Sequence, residues 1–247
     1  MKSYIDELDR NIFNFVEYEG YDDRYPSLSM QAFSSDFYDE IRHASRRLFQ
    51  IFCKAAKVFQ MAPDDFARNM DMPDNLISYL HKSNALGLPT WLSRFDFVLD
   101  INGNLRMVEL NADTPCFLIE SYYANEIAAN YVGRKHPNTE CRKELHTFLK
   151  RMYDAVLSAK YGRNQYKSML ANRERLRKDP FVFSCFHDYF EDYGTTQFLM
   201  NELKTACPEA DTRFISFYDM KIDNEGIPLT DGSHATLLYR LHPMELL

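Results

Sequence analysis

The chain has 247 residues, 45 % of them hydrophobic, 15 % aromatic and 26 % charged, a composition that can bury a globular core. Its 29 basic and 36 acidic side chains leave a formal net charge of −7, which repels a polyanion and argues against a general nucleic-acid binder. Only 8 glycines occur, and their spacing forms neither a GxGxxG fingerprint nor a P-loop, so a short glycine-rich phosphate cradle is excluded.

The first residues, MKSYIDELDRN, carry acids where a signal peptide needs a basic stretch and an apolar run, and no apolar segment reaches membrane-spanning length. A cytoplasmic protein is expected, with no membrane partner. Cys53, Cys116, Cys141, Cys185 and Cys207 show no CxxC and no paired Cys/His spacing, the pattern of reduced thiols.

In chain order, Phe37, Ile41, Ala44, Leu48, Ile51, Ala55 and Val58 predict a long amphipathic helix from near Ser35 to before Pro63. Arg42, Arg46, Arg47, Lys54 and Lys57 read as its solvated face. Short helices follow at 64–70 and 73–81, and longer ones at 117–130 and 139–160, the last with Leu145, Phe148, Leu149, Met152 and Val156 on one stripe. Segment 163–178 is locally basic and reads as exposed helix or linker. After Pro180, a strand at 181–186, a helix at 195–206 and a strand at 213–217 form a β-α-β unit, with a further strand at 235–241. The division this suggests is a helical region 1–90, a hairpin-bearing region 91–178 and a β-α-β region 179–247.

The most informative stretch lies on either side of Asn102-Gly103, a strong hairpin signal. A two-residue loop there places Asp96 opposite Glu109 and Arg94 opposite Asn111. All four share one face, and Phe95, Phe97, Leu99, Val108 and Leu110 share the other as a core surface. Facing carboxylates repel unless a cation stands between them. Arg94 is one candidate cation, giving a surface ion network, and a hard divalent ion held by Asp, Glu and Asn oxygens is the other. Downstream, Asn111-Ala112-Asp113-Thr114-Pro115-Cys116 is short, polar and turn-forming and leads into a helix. His187-Asp188 after the strand at 181–186 is a further conceivable catalytic pair, and Cys116 a conceivable nucleophile.

Arg94-Phe95-Asp96 with Glu109-Leu110-Asn111-Ala112-Asp113-Thr114-Pro115 resembles the glutathionylspermidine synthase family, whose synthetase region is an ATP-grasp carboxylate-amine ligase. Glu191-Asp192-Tyr193-Gly194-Thr195-Thr196 and Leu238-Tyr239-Arg240-Leu241-His242-Pro243-Met244-Glu245 are similar to later landmarks of that family in the same order. The resemblance implies an α/β fold with α+β character: a helical N-terminal region, a hairpin-borne metal site and a Rossmann-like pre-ATP-grasp unit.

It also implies ATP-dependent joining of a peptide or glutathione-like carboxylate to an amine through an acyl-phosphate. Asp96, Glu109 and Asn111 would then be Mg2+ ligands. Arg94 would stabilise charge on the transferred phosphoryl group, Thr114 and Cys116 would contact the peptide, and Glu191 the amine. Met244 stands where the family has tryptophan, and the chain stops at that landmark. The expectation is therefore the front portion of such a ligase, with a C-terminal portion or partner subunit supplying the ATP clamp. The alternative is a non-catalytic binding or assembly protein that keeps the fold.

Overall fold

The computed structural model describes residues 4–17, 25, 29–84, 90–171 and 180–243. Arg173, Arg175, Arg177 and Lys178 of the basic segment, and the terminal residues 244–247, lie outside the described residues. The chain divides into two compact units, one of Met30–Asp113 and the other of Met1–Ser29 with Thr114–Leu247. This grouping follows packing, whereas boundaries at 90 and 178 follow changes of sequence pattern. Among the described residues no helix is long and apolar enough to cross a membrane.

The unit Met30–Asp113 opens with helix α1 (Ser35–Gln60), whose N-cap Ser34 accepts the Phe37 amide. The buried stripe differs from the expected one. Ile51 is 58 % and Val58 69 % exposed, while Ile41, Ser45, Leu48, Phe52, Ala56 and Phe59 are half-buried. The predicted positions recur on average every 3.5 residues or so, and a straight helix turns every 3.6 or so, so a stripe read by heptads drifts away from the packed face over several turns. Arg46, Arg47, Lys54 and Lys57 are exposed, as expected of a solvated face. Helices α2 (Asp64–Asn69) and α3 (Asp74–Ser83) each follow a proline, which suits a helix start because proline lacks the amide that would be unpaired there. Strands β1 (Arg94–Leu99) and β2 (Leu105–Asn111) complete this unit as an antiparallel pair.

In the other unit, a 3-10 turn at Tyr4–Glu7 begins a segment that buries Tyr4, Leu8, Phe13, Phe15 and Val16. They pack with Ile119, Ala124, Ala128 and Phe198. Ala124 closes a π-helical turn (Glu120–Ala124) that runs into α4 (Asn125–Tyr131). Helix α5 (Thr139–Tyr161) buries Leu145, Leu149, Tyr153 and Leu157, so Tyr153 joins the expected stripe while Phe148, Met152 and Val156 flank it. Helix α6 (Arg163–Ala171) follows.

The β-α-β unit is present as β3 (Phe181–Ser184), α7 (Phe190–Ala206) and β4 (Thr212–Phe214). β3 is buried at every position, the mark of a strand covered on both faces. Short strands β5 (Ile227–Pro228) and β6 (His234–Ala235) pair with each other, and β7 (Leu237–Arg240) lies parallel to β3. The sheet order is β4-β3-β7, all parallel. Beyond the strand ends Phe217 N–H donates to Cys185 O (3.1 Å) and Leu241 N–H to Ser184 O (2.9 Å), which gathers three loops at the carboxyl edge.

α7 docks closely on the N-terminal segment because residue 194 is glycine. A Cβ there would stand 2.6 Å from Asn14 Oδ1 and 3.0 Å from the Phe15 ring. The Asn14 amide can turn aside, but the Phe15 ring is 3 % exposed and enclosed. Gly194→Ala is expected to lower unfolding free energy by about 1–3 kcal/mol, despite alanine's better helix propensity. Denaturant unfolding monitored by circular dichroism measures this, and a gain in stability would contradict the packing described.

Candidate functional site

The hairpin places Asp96 opposite Glu109 and Arg94 opposite Asn111. The route to that register differs from the one expected. Gly103 N–H donates to Asp100 O (2.9 Å) and Asp100 N–H to Asn104 O (2.9 Å), so the loop is three residues, 101–103, with Gly103 at φ +79°. This is a three-residue turn whose glycine takes the left-handed position. The inner pairs, Phe97 with Met107 and Leu99 with Leu105, are accordingly one residue out of the expected register. A bulge between Asp96 and Phe97 then leaves Val108 unpaired and restores the offset. Asp100 anchors the turn. Its Oδ1 accepts the amides of Asn102 (2.9 Å) and Asn104 (2.8 Å). Its Oδ2 accepts from Arg106 Nε (3.0 Å). These bonds, the Asn104 amide first, hold its carboxyl below the usual range.

The expected core surface on the opposite face is not a core. Leu99 is 52 % and Val108 62 % exposed, and Phe95, Phe97 and Leu110 are only half-buried. The bulge breaks the alternation at Val108, and among the described residues no further strand extends this two-stranded sheet.

Arg94 and Asp96, two apart on one strand, form a forked ion pair: Nε donates to Oδ1 (2.7 Å) and Nη2 to Oδ2 (2.9 Å). This bond holds the Asp96 carboxyl below its ordinary value. Glu109 is exposed and Asn111 half-buried. At the base of the hairpin Thr90 Oγ1 lies 2.8 Å from Leu92 O and 3.1 Å from Ala112 O. Among the described residues no three His, Cys, Asp or Glu side chains group as a metal site. The oxygen set of Asp96, Glu109 and Asn111 suits a hard cation in donor type. Both Asp96 oxygens are, however, engaged by the guanidinium, so a cation there must compete with Arg94.

Thr114, Cys116 and Glu191 belong to the other unit. Thr114 and Cys116 are half-buried, and the Cys116 thiol donates to Thr114 O (3.8 Å). Phe117, next in line, has φ +78° and is 50 % exposed, a strained conformation for a bulky side chain. Glu191 lies in the first turn of α7 beside Asp192. Burial, then the charge of Glu191, push the Asp192 carboxyl up to about 6, with His242 opposing. Burial also raises the Tyr239 phenol above its ordinary value, with Cys116 and Asp192 adding to it. The Tyr239 hydroxyl is buried with no hydrogen-bond partner among the described residues. Asp192 and Tyr239 were not singled out from the sequence. Asp192 could have been found as the second acid in the opening turn of a helix that follows a parallel strand.

His187 and Asp188 each engage a different partner in the loop after β4. His187 Nδ1 lies 2.9 Å from Ser216 Oγ, and Tyr218 Oη donates to Asp188 Oδ2 (3.0 Å). Both contacts join the loop after β3 to the loop after β4.

The described residues thus combine a parallel three-stranded sheet and helices with an Arg-Asp-Glu-Asn hairpin in a mixed α/β fold. The family model for the glutathionylspermidine synthase preATP-grasp matches residues 4–247, and the chain belongs to that family. Its solved-structure neighbours include a glutathione synthetase-like effector from Globodera pallida in its apo form, 11 % identical with a TM-score of 0.53. That match covers 87 % of this chain and 50 % of the other, so the chain spans about half of that protein's length. At this identity the likeness is one of fold.

The raised Asp192 carboxyl makes stability depend on pH. Between about pH 4 and about 6 the folded chain keeps a proton that the unfolded chain has lost, so stability falls as pH rises through that window. Asp192→Asn is expected to remove this fall and to raise the Tm at pH 7 by on the order of 2 °C, since partial exposure screens the charge. Calorimetry on both proteins from pH 4 to 7 tests this, and parallel pH courses would refute it.

Proposed function

We propose that this chain contributes the metal and substrate face of an ATP-dependent ligase that joins a peptide-like carboxylate to an amine. The observation that carries the reading is the hairpin, where a bulge and a three-residue turn together set Asp96 against Glu109 with Arg94 and Asn111 on the same face. Asp96, Glu109 and Asn111 would hold Mg2+, which when bound supplies charge neutralisation at nucleotide phosphates. Arg94 is paired with Asp96 in the metal-free chain. With the metal held there, Arg94 would instead donate to an anionic oxygen of the transferred group. Thr114 and Cys116 would meet the peptide, and the left-handed backbone at Phe117 beside them supports that assignment. Glu191 would receive the amine, since the destabilised Asp192 carboxylate beside it gains from a neighbouring ammonium. A nucleotide-binding ATP-grasp region would act with this one.

A second reading, recognition or assembly without catalysis, is favoured by the forked Arg94–Asp96 bond, which already neutralises one of the two facing acids. Backbone-amide NMR with Mg2+ and ATP separates the two. The ligase reading expects shifts at residues 94, 96, 109 and 111, weakened at least about tenfold by Asp96→Asn or Glu109→Gln, with each variant's Tm within about 3 °C of the parent. If Mg2+ moves none of these amides, and Asp96→Asn costs several degrees without metal, the ion-pair reading stands instead.

A further inference from the structure

His81, in the last turn of α3, meets two other helices of its unit. Its Nδ1 lies 2.8 Å from the carbonyl oxygen of Gln60, the last residue of α1. Its Nε2 lies 3.0 Å from Oδ1 of Asp64, the first residue of α2. Both partners are acceptors. A neutral imidazole carries a single N–H, so either tautomer leaves a ring lone pair facing an oxygen lone pair across one of these gaps. The imidazolium donates at both. The carbonyl end of α1 also favours a cation, because the helix dipole is negative there.

The surrounding charges fit this state. The Gln60 carbonyl first, then the Asp64 carboxylate, raise the His81 imidazole above its ordinary value. Arg68 also approaches Asp64, at 3.8 Å from Oδ2, but its nearer partners are Asp65 and Asp74, each at 2.7 Å. Lys82 turns its ammonium over the Tyr79 ring, 5.1 Å from the centroid.

Gln60 has a second link to α3, its side-chain amide donating to Ser83 Oγ (2.7 Å). The end of α1 is therefore held to α3 by one bond through His81, which coexists with the Asp64 bond only in the imidazolium, and one that does not involve His81. α1 also touches the strand that bears Arg94 and Asp96. The Phe52 ring stands 5.9 Å from the ring of Phe95, which lies between those two residues.

We propose that His81 is a proton-operated clasp: its imidazolium joins α1, α2 and α3 at once, and loss of the proton gives up one of its two contacts and loosens the α1–α2–α3 junction, where α1 is the helix whose Phe52 braces strand β1 at Phe95. The clasp is fully closed below the ordinary histidine value of about 6.5 and opens as pH rises through the higher value of the folded chain.

Trp91, the one tryptophan in the chain, lies just ahead of β1 in this unit, so its fluorescence reports on the unit. The test combines an NMR titration of the His81 ring with Trp91-monitored thermal unfolding from about pH 5.5 to about pH 8.5, the range over which histidines change charge. His81 should titrate above the ordinary value, and the Trp91 midpoint should fall across that titration. Asp64→Asn should move both to lower pH, and His81→Phe should abolish the fall. Titration of His81 at or below the ordinary value would overturn the proposal. So would the same pH course in the parent and in His81→Phe, or in Asp64→Asn should the phenylalanine variant not fold.

Discussion

Side chains along a strand alternate between faces, so a hairpin's register decides which residues meet and which are turned away. A slip of one residue in this hairpin would set Asp96 against a neighbour of Glu109 and send Glu109 to the other face. Two local features each make such a slip and cancel. The three-residue turn around Gly103 moves the pairing by one, and the unpaired Val108 moves it back. Everything proposed for Arg94, Asp96, Glu109 and Asn111 depends on this compensation. The bulge also leaves the turn end of the sheet without regular alternation, which explains why Leu99 and Val108 lie exposed.

Charge is handled differently in the two units. On the hairpin, a guanidinium closes on a carboxylate in partly exposed surroundings, where such a pair is worth no more than about 1 kcal/mol. That makes it readily exchanged for another partner, which suits a residue expected to change contacts on ligand binding. At the start of α7, by contrast, two acids stand side by side and one is taken out of water, leaving the Asp192 carboxylate raised to about 6. A partly desolvated charge of this kind counts against stability and is relieved by a ligand of opposite sign.

Packing in the larger unit has its own constraint. Phe13, Phe15 and Val16, far from α7 in the chain, complete a core with Ile119 and Phe198. Their close approach rests on the missing side chain at Gly194. Membership of the pre-ATP-grasp family agrees with this architecture, in which α7 packs against a small parallel sheet whose carboxyl edge collects loops. In open parallel sheets that edge is the usual ligand position. Here it holds the ends of β3, β4 and β7.

Local pattern alone determined the existence of α1, α5, the hairpin and the β-α-β unit, because each is encoded by periodicity and by turn residues within a short window. It also brought Arg94, Asp96, Glu109 and Asn111 together, although through a simpler turn than the one present. The packed face of α1 was legible at Phe37, Ile41, Ala44 and Leu48 but not beyond, since small differences between a heptad count and the true helical repeat accumulate over its length. Nor was the bulge at Val108, which answers to pairing across strands rather than to the residue itself. The placement of residues 4–17 with α7, the burial of Asp192, and the meeting of His81 with Gln60 and Asp64 were decided only in three dimensions. Each joins segments whose contact depends on how helices and strands fill space against one another, and no spacing along the chain carries that information.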